Sequence, residues 1–237
     1  MNSSENIKQL IKGRFVLDIP SLQKKMQNIK AFIFDWDGVF NNAHKNTDGN
    51  SSFSETDSMG VNLMRFNNYL QTGRQPITAI ITGENNQTAF SFARREHFNA
   101  VYYTIKHKQT ALEHLCKQYH LQPEEVLFVF DDVLDFSAAK LAGVRIMVNH
   151  DCNPLLIKFA IENGLVDYLT QHDGSVGAVR EASELVMCLS NRFDETIENR
   201  MQYSDTYKKY IANRNEATTS YFTFRNNEIT EDAPSIP

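Results

Sequence analysis

Short apolar runs recur along the chain, each about the length of a β-strand. They lack the polar alternation of a strand with one wet face, which is typical of a parallel sheet covered by helices on both faces. The runs are AFIFD (31–35), ITAIIT (77–82), AVYY (100–103), VLFVFD (126–131), VRIMVN (144–149) and a weaker VDYLT (166–170). The pattern predicts strands at these positions.

The stretches between these runs have helical spacing. Ala111, Leu112, Leu115 and Tyr119 form one apolar stripe, and AAKLAG (138–143) ends in a glycine suited to a helix C-terminus. Strands that alternate with helices predict an α/β fold with a Rossmann-like, doubly wound parallel sheet.

Residues 40–58 interrupt this alternation, because they are rich in Asn, Ser, Asp and Gly and show little periodicity. Such a composition favours turns over helices. We expect a small β-hairpin flap over about 40–57, projecting from the end of the first strand. Asp48 and Gly49 would form its turn.

The C-terminal part has a different pattern. A helix beginning near Ser175 is predicted by apolar residues three or four positions apart: Val179, Ala182, Val186, Leu189, Phe193 and Ile197, continued by Tyr203, Tyr207 and Tyr210. The aromatic end of this stripe packs either on its own domain or on a neighbouring subunit. The polar, proline-ended residues 226–237 predict a disordered tail.

These patterns divide the chain into segments. We expect an N-terminal lead-in over 1–28, with a short helix after Pro20, and a core over 29–189. A helical extension over 190–225 and the tail over 226–237 complete the 237 residues.

Composition narrows the functional classes. The chain is 41% hydrophobic and 22% charged with a net charge of −5, which is typical of a globular protein and unlike nucleic-acid or anionic-membrane binders. Small solutes are therefore the expected partners. Cys116, Cys152 and Cys188 are odd in number and far apart, as in a reduced cytoplasmic protein. We expect a cytoplasmic location without a signal peptide or membrane segment.

Acidic residues follow the predicted strands. In an open parallel sheet, the carboxyl ends of the strands converge on the ligand site. The residues concerned are Asp35 and Asp37 after the first strand, Thr82 and Gly83 after the second, Lys106 and Lys108 after the third, and Asp131, Asp132 and Asp135 after the fourth. Clustered carboxylates repel one another, and Mg2+ would relieve that repulsion. Acids, Mg2+, a lysine and a threonine hydroxyl together suit phosphoryl transfer.

Four motifs in this order resemble those of the haloacid dehalogenase superfamily of phosphohydrolases: DWDGV (35–39), IITG (80–83), Lys108 and DDVLD (131–135). The resemblance covers roughly residues 29–188. Within the superfamily the chain is similar to the 3-deoxy-D-manno-octulosonate 8-phosphate phosphatases. LQPEEVLFVFDDVLD and GSVGAVREASELV (174–186) extend that similarity beyond the motifs.

The resemblance implies a role for each acid. Asp35 would attack phosphorus and form an aspartyl-phosphate. Asp37 would protonate the leaving alkoxide and then activate water. The metal ligands would be the side chains of Asp35 and Asp131 and the backbone carbonyl of Asp37. Asp132 and Asp135 would orient the lysine or metal-bound water.

The remaining motif residues would bind the phosphoryl group. Thr82 and the amide of Gly83 would hold its oxygens, and Lys108 would offset the charge on the phosphate and Asp35. Lys108 is preferred over Lys106 because the lysine of the family directly opens the following helix, and QTALEHL begins after 108. The histidines His107, His114 and His120 show no ligand spacing, so surface or packing roles are expected.

The motif spacing leaves no room for a cap domain. Thr82 lies 47 positions after Asp35, and Lys108 lies 26 after Thr82. The flap, one helix and a strand fill the first interval, and a helix and a strand fill the second. The resemblance implies that the flap and a neighbouring subunit close the site in a homotetramer.

Three positions depart from the subfamily. Glu84 stands where it has arginine after Thr-Gly, Thr56 begins the segment that usually reads Arg-Asp-Gly-Tyr-Gly, and Phe130 replaces a glycine. The lost arginines matter because a guanidinium is the usual partner of a sugar acid's carboxylate or phosphate. They leave the substrate open within the class of phosphorylated sugar acids.

The sequence thus predicts a Mg2+-dependent phosphomonoesterase. Its expected substrate is a small phosphorylated sugar acid, either 3-deoxy-D-manno-octulosonate 8-phosphate or a sialic-acid-type 9-phosphate, from lipopolysaccharide or sialic acid biosynthesis. The alternatives are a phosphatase of another small phosphoester and a non-catalytic scaffold or regulatory subunit that retains the fold.

Overall fold

The computed structural model describes residues 4–232 and Pro234, and its strands form one mixed sheet. The strands are Arg14–Phe15 (β1), Ala31–Phe34 (β2), Ile77–Ile81 (β3), Ala100–Tyr103 (β4), Val126–Phe130 (β5), Val144–Met147 (β6), Tyr168–Leu169 (β7), Ser220–Arg225 (β8) and Glu228–Glu231 (β9). Their order across the sheet is β1-β7-β6-β5-β2-β3-β4-β8-β9. Only the outermost pairs, β1 with β7 and β8 with β9, are antiparallel.

The centre of the sheet confirms the predicted α/β class. β2 lies between β3 and β5, with Ala31 opposite both Ile77 and Val126 in parallel register. Every residue of β2 and β5 is buried, which explains their unbroken apolar sequences. The predicted runs become β2 to β6, and the weaker run becomes β7.

Helices cover both faces of this sheet. They are Ser4–Leu10 (α1), Ile19–Met26 (α2), Glu55–Thr72 (α3), Gln87–Arg95 (α4), Lys108–Gln118 (α5), Phe136–Ala139 (α6), Pro154–Glu162 (α7), Ala178–Leu189 (α8), Phe193–Met201 (α9) and Asp205–Arg214 (α10), with 3-10 turns at Pro123–Glu125 and Val133–Asp135. One apolar core lies beneath α2, α3, α4 and α8, and the other beneath α5, α6 and α7. The described residues form no cap domain, and none of their helices is long and apolar enough to span a membrane.

The loop after β2 differs from the expected β-hairpin, because residues 41–54 contain no strand. Asparagine side chains satisfy its backbone instead. Asn46 Oδ1 accepts hydrogen bonds from the amides of Asp48 and Asn50, at 3.0 and 2.9 Å. Asn42 does the same for a neighbouring amide two residues ahead. Such local bonds compete with ladder pairing, so the flap is an irregular loop. We call residues 41–54 the flap loop.

The single long helix expected after Ser175 is divided into α8, α9 and α10. The breaks fall at Asn191 and Tyr203, whose φ angles are +58° and +49°. A left-handed residue ends a helix, so the stripe changes direction twice. Its aromatic end packs on its own domain: the rings of Tyr207 and Tyr210 lie 4.9 and 5.1 Å from that of Phe66 in α3.

The expected helical extension and disordered tail are wrong for residues 220–231, which form β8 and β9. β8 pairs in parallel with β4 and covers the backbone edge that β4 would otherwise expose. The ring of Phe222 stacks on that of Tyr102 at 4.9 Å. Asn226 and Asn227 form the hairpin turn with φ of +51° and +67°, values that asparagine tolerates. Residues 233 and 235–237 of the predicted tail lie outside the described residues.

Candidate active site

Three carboxylates meet where the central strands end. Asp35 follows β2 and Asp131 follows β5, and these two strands are paired. Asp135 lies four residues further on, at the end of a 3-10 turn. One oxygen from each of Asp35, Asp131 and Asp135 lies within 4.8 Å of the others, and all three residues are buried. The strand ends therefore form the acidic site expected of a doubly wound sheet.

Lys108 is the cation of this cluster. It is the first residue of α5 and only 1% exposed. Its Nζ lies 2.6 Å from Asp35 Oδ1 and 2.5 Å from Asp135 Oδ1. Lys106 is exposed on the rim, where its Nζ contacts the Gly83 carbonyl at 3.1 Å and Glu84 Oε1 at 2.9 Å. Lys108, and not Lys106, thus contacts the strand-end acids.

The electrostatics of the cluster leave a deficit of positive charge. Burial raises the pKa of Asp35 well above its ordinary range, and the neighbouring acids, Asp135 foremost, raise it further. Burial also raises the pKa of Asp135. For Lys108 burial acts in the opposite direction, but Asp135 and Asp35 outweigh it and raise the lysine pKa. Lys108 faces Asp35 and Asp135, and the imidazole of His150 faces Asp131, whose hydrogen bond raises the histidine pKa. A divalent cation would relieve the repulsion that remains among the three acids.

Asp131 provides a direct test of whether this chain fits a metal. Its Oδ2 accepts a hydrogen bond from His150 Nε2 at 3.1 Å. Its buried Oδ1 has no hydrogen-bond partner among the described residues. A buried carboxylate oxygen without a partner is costly unless a cation binds it. The oxygen donors of the site match Mg2+, so the residues fit this ion.

Gly38 completes this arrangement. A Cβ at this position would lie 2.0 Å from Asp131 Oδ2, and the residue has a φ of +88°. Only glycine fits both constraints. The glycine of the DWDGV motif therefore lets the loop after β2 approach Asp131.

Asp37 lies beside the cluster and contacts the flap loop. Its Oδ2 is 2.9 Å from Nζ of Lys45, and its Oδ1 accepts a hydrogen bond of 2.6 Å from the Ser51 hydroxyl. Sequence reasoning missed Lys45, Ser51 and His150. Each lies eight or more positions from the acid that it contacts. Their residue types carry no motif, so the sequence offered no signal for them.

The phosphate-binding candidates lie at the end of β3. Thr82 is buried, and its Oγ1 accepts the amide of Glu84 at 3.3 Å. Gly83 has open space around its Cα, with no atom closer than 3.7 Å to the position of an added Cβ. The Glu84 side chain lies on the rim and pairs with Lys106. Thr82 and Gly83 thus share the carboxyl edge of the sheet with the acids.

Other expected residues lie away from the cluster. Asp132 is exposed, and its carboxylate accepts the Val133 amide at 2.6 Å, so it caps the 3-10 turn, whereas Asp135 contacts Lys108. His107 Nδ1 lies 3.2 Å from the Thr110 hydroxyl, and His114 Nδ1 lies 2.9 Å from the Tyr102 hydroxyl. Neither of these histidine contacts involves an acid of the cluster.

The chain is similar to known proteins in sequence and in structure. The 3-deoxy-D-manno-octulosonate 8-phosphate phosphatase of Salmonella typhimurium is 28% identical over 180 residues, which cover 74% of this chain and 88% of that protein. The Escherichia coli K12 enzyme of the same name is 27% identical over 175 residues, which cover 72% of this chain and 86% of that protein. No protein-family model matches the chain.

Two solved structures agree with this similarity. A Moraxella catarrhalis 3-deoxy-D-manno-octulosonate 8-phosphate phosphatase, crystallised with magnesium, phosphate and its sugar acid, is 28% identical with a TM-score of 0.63, covering 75% of this chain and 97% of that one. A Legionella pneumophila structure described as a hydrolase of the haloacid dehalogenase superfamily is 26% identical with a TM-score of 0.64. The match covers 78% of this chain and 96% of that one. In its fold and in its strand-end acids the chain is thus similar to proteins of the haloacid dehalogenase superfamily, and among them to the 3-deoxy-D-manno-octulosonate 8-phosphate phosphatases.

Proposed function

We propose that the chain is a Mg2+-dependent phosphomonoesterase that hydrolyses a small phosphorylated sugar acid through an aspartyl-phosphate. The observation that carries this proposal is the buried group of Asp35, Asp131, Asp135 and Lys108 at the carboxyl ends of β2 and β5. Burying three acids around one lysine costs stability, and phosphoryl transfer is the chemistry that uses such a set.

Asp35 is the proposed nucleophile. One of its carboxylate oxygens forms a bond to phosphorus while the bond between phosphorus and the sugar oxygen breaks. Asp37 donates a proton to that departing oxygen, so the sugar leaves as a neutral alcohol. In the second half, Asp37 takes a proton from water as the water oxygen attacks phosphorus, and Asp35 is released as a carboxylate.

The other residues hold charge and position. Lys108 lies 2.6 Å from Asp35 and keeps the nucleophile oriented. Thr82 and the Gly83 amide bind phosphoryl oxygens in this proposal. The side chains of Asp35 and Asp131 and the Asp37 carbonyl would hold Mg2+, which when bound offsets negative charge on the phosphoryl oxygens. Asp135 keeps Lys108 in place, at 2.5 Å.

The relatives support the substrate class. The Salmonella typhimurium protein is named for 3-deoxy-D-manno-octulosonate 8-phosphate, and the Moraxella catarrhalis structure contains that sugar acid and phosphate. We propose this compound or a sialic-acid-type 9-phosphate, within lipopolysaccharide or sialic acid biosynthesis. By the same resemblance we propose a cytoplasmic homotetramer whose catalytic core spans about 29–189.

A second candidate is a phosphatase of another small phosphoester. The observation that favours it is Glu84, which sits on the rim paired to Lys106, where the subfamily has arginine. A carboxylate there opposes an anionic sugar acid. A non-catalytic scaffold is disfavoured, since scaffolding requires none of the buried acids and their lysine.

The test is phosphate release from a panel of sugar acid phosphates and neutral sugar phosphates, with and without Mg2+. The Asp35→Asn variant should lose activity on every substrate, and Asp194→Asn, which changes an exposed residue of α9, should keep it. Activity that survives in Asp35→Asn would refute the aspartyl-phosphate. A preference for neutral sugar phosphates would select the second candidate, and an inactive wild type would favour the scaffold.

A further inference from the structure

A buried serine of the flap loop contacts the proposed general acid. We propose that Ser51 is a positioning residue that fixes the roles of the two oxygens of Asp37. Its hydroxyl holds Oδ1 as a permanent acceptor, which leaves Oδ2 as the oxygen that carries and exchanges the catalytic proton. This inference rests on the proposed function and adds a residue to its mechanism.

Ser51 makes three hydrogen bonds. Its Oγ lies 2.6 Å from Asp37 Oδ1, 3.0 Å from Trp36 Nε1 and 2.8 Å from Asn86 Nδ2. A serine hydroxyl has one hydrogen to donate and two lone pairs to accept with. The direction of all three bonds is settled once the two nitrogens are known to be donors.

Both nitrogens are donors by chemistry or by context. An indole nitrogen only donates. The amide of Asn86 is oriented by its other end, because Asn86 Oδ1 accepts the amides of Thr88 and Ala89, at 3.0 and 3.3 Å, and so caps α4. The NH2 group of Asn86 must therefore face Ser51.

It follows that both lone pairs of Ser51 are occupied and that its single hydrogen points at Asp37 Oδ1. Water does not disturb this arrangement, because Trp36 and Asn86 are fully buried and Ser51 is 4% exposed. Hydrogen bonds in such surroundings are strong and their reversal is costly. In a protonated carboxyl group the C=O oxygen is a better acceptor than the O–H oxygen, so this bond favours Oδ1 as the C=O oxygen and places the proton on Oδ2.

The other oxygen faces a different environment. Asp37 Oδ2 contacts only Lys45 among the hydrogen-bond partners in the described chain, at 2.9 Å, and Lys45 lies on the exposed part of the flap loop. A substrate that displaces this exposed side chain gains access to Oδ2. The proton that passes to the leaving oxygen, and the one later taken from water, are therefore both carried on Oδ2.

This assignment predicts a specific defect in Ser51→Ala. Without the hydroxyl, the proton of Asp37 can reside on either oxygen, and acid assistance weakens. Since general acid catalysis contributes about 100-fold or more, kcat for the best sugar phosphate of the panel should fall by about 10-fold to 100-fold, with KM little changed. p-Nitrophenyl phosphate, whose leaving group needs little protonation, should lose much less.

Matched variants separate this role from folding. Ser52→Ala changes the adjacent, exposed serine and should leave kcat unchanged for both the sugar phosphate and p-nitrophenyl phosphate. Ser51→Thr keeps the hydroxyl and should restore the sugar phosphate reaction. Asn86→Asp retains the α4 cap but draws the Ser51 hydrogen to itself, so it should show the same selective loss as Ser51→Ala.

Trp36, the single tryptophan of the chain, supplies a second readout. Its indole donates to Ser51, so its emission should shift in Ser51→Ala and stay unchanged in Ser52→Ala. Equal losses on both phosphate esters, or an active Asn86→Asp, would overturn the role of Ser51 while leaving the phosphatase proposal intact. A wild type that hydrolyses neither ester would overturn both.

Discussion

The tight contact between Gly38 and Asp131 allows the metal site to be tested by adding a single methyl group. In Gly38→Ala the new Cβ would lie 2.0 Å from Asp131 Oδ2, whereas ordinary contact begins at 3.4 Å. The carboxylate must therefore move by more than 1 Å, or the loop after β2 must shift. Either movement takes the Asp131 side chain or the Asp37 carbonyl away from the proposed cation.

The expected effect combines backbone strain and displacement of the ligand. A φ of +88° costs an L-residue about 1 kcal/mol relative to glycine. Displaced metal partners typically lower metal affinity by about 10-fold to 100-fold. A reacting group misplaced by about 1 Å costs about 100-fold in rate. Gly38→Ala should thus combine a small loss of stability with large losses in Mg2+ affinity and kcat.

Gly49→Ala is the matched control. Gly49 lies in the flap loop with a φ of +79°, and a Cβ there would meet no atom within 4 Å. The control should share the loss of about 1 kcal/mol in unfolding free energy without any loss of metal binding. Calorimetric titration with Mg2+ and urea unfolding measure the two effects separately. Wild-type Mg2+ affinity in Gly38→Ala would refute the proposed role of Asp131.

Three further predictions concern stability. Burial raises the pKa of Asp57 to about 6, so the folded state holds this proton more tightly than the unfolded state does. The resulting contribution to the free energy of unfolding is full below about pH 4 and is lost as the pH rises through about 6. Between pH 4 and 7 the wild type should lose about 3 kcal/mol of unfolding free energy relative to Asp57→Asn, and parallel urea profiles would contradict this. Lys108→Met leaves Asp35 and Asp135 without their cation, so it should lower the free energy of unfolding in urea at pH 7 by about 3 kcal/mol or more. A variant as stable as the wild type would show that the two acids are neutral. Phe222→Ala should lower the free energy of unfolding by about 3 kcal/mol, because Phe222 is buried against Tyr102. Phe224 is exposed, so Phe224→Ala should lower it by less than about 1 kcal/mol. Equal thermal unfolding midpoints in the two variants would refute the packing of β8.

The parts of the fold that the sequence predicted are those where one physical requirement dominates. β2 and β5 are buried on both faces, so their sequences are unbroken apolar runs that only a central strand explains. The acids follow directly, because a parallel sheet brings its carboxyl ends together whatever the helices do. Strand order also brings Asp35 next to Asp131, since β2 and β5 are neighbours.

The parts of the fold that the sequence did not predict, the flap loop and β8, depend on which hydrogen-bond partners their backbones find. The flap loop has a composition suited to turns, but whether it forms a hairpin depends on side chains such as Asn46, which take the place of ladder bonds. β8 follows three helices, so its YFTF sequence falls within the expected helical extension. Its stability comes from the exposed edge of β4, which is distant in sequence.

The residues that hydrogen-bond to the proposed catalytic acids are the part of the site that the sequence could not predict. Ser51 and His150 are ordinary polar residues, and their roles are set by where their partners lie. Ser51 directs its hydrogen at Asp37 because Trp36 and Asn86 occupy its lone pairs. His150 holds one oxygen of Asp131, which leaves the other without a partner and suited to a cation. A motif identifies the reacting atoms, whereas the direction of each hydrogen bond around them follows only from the three-dimensional network.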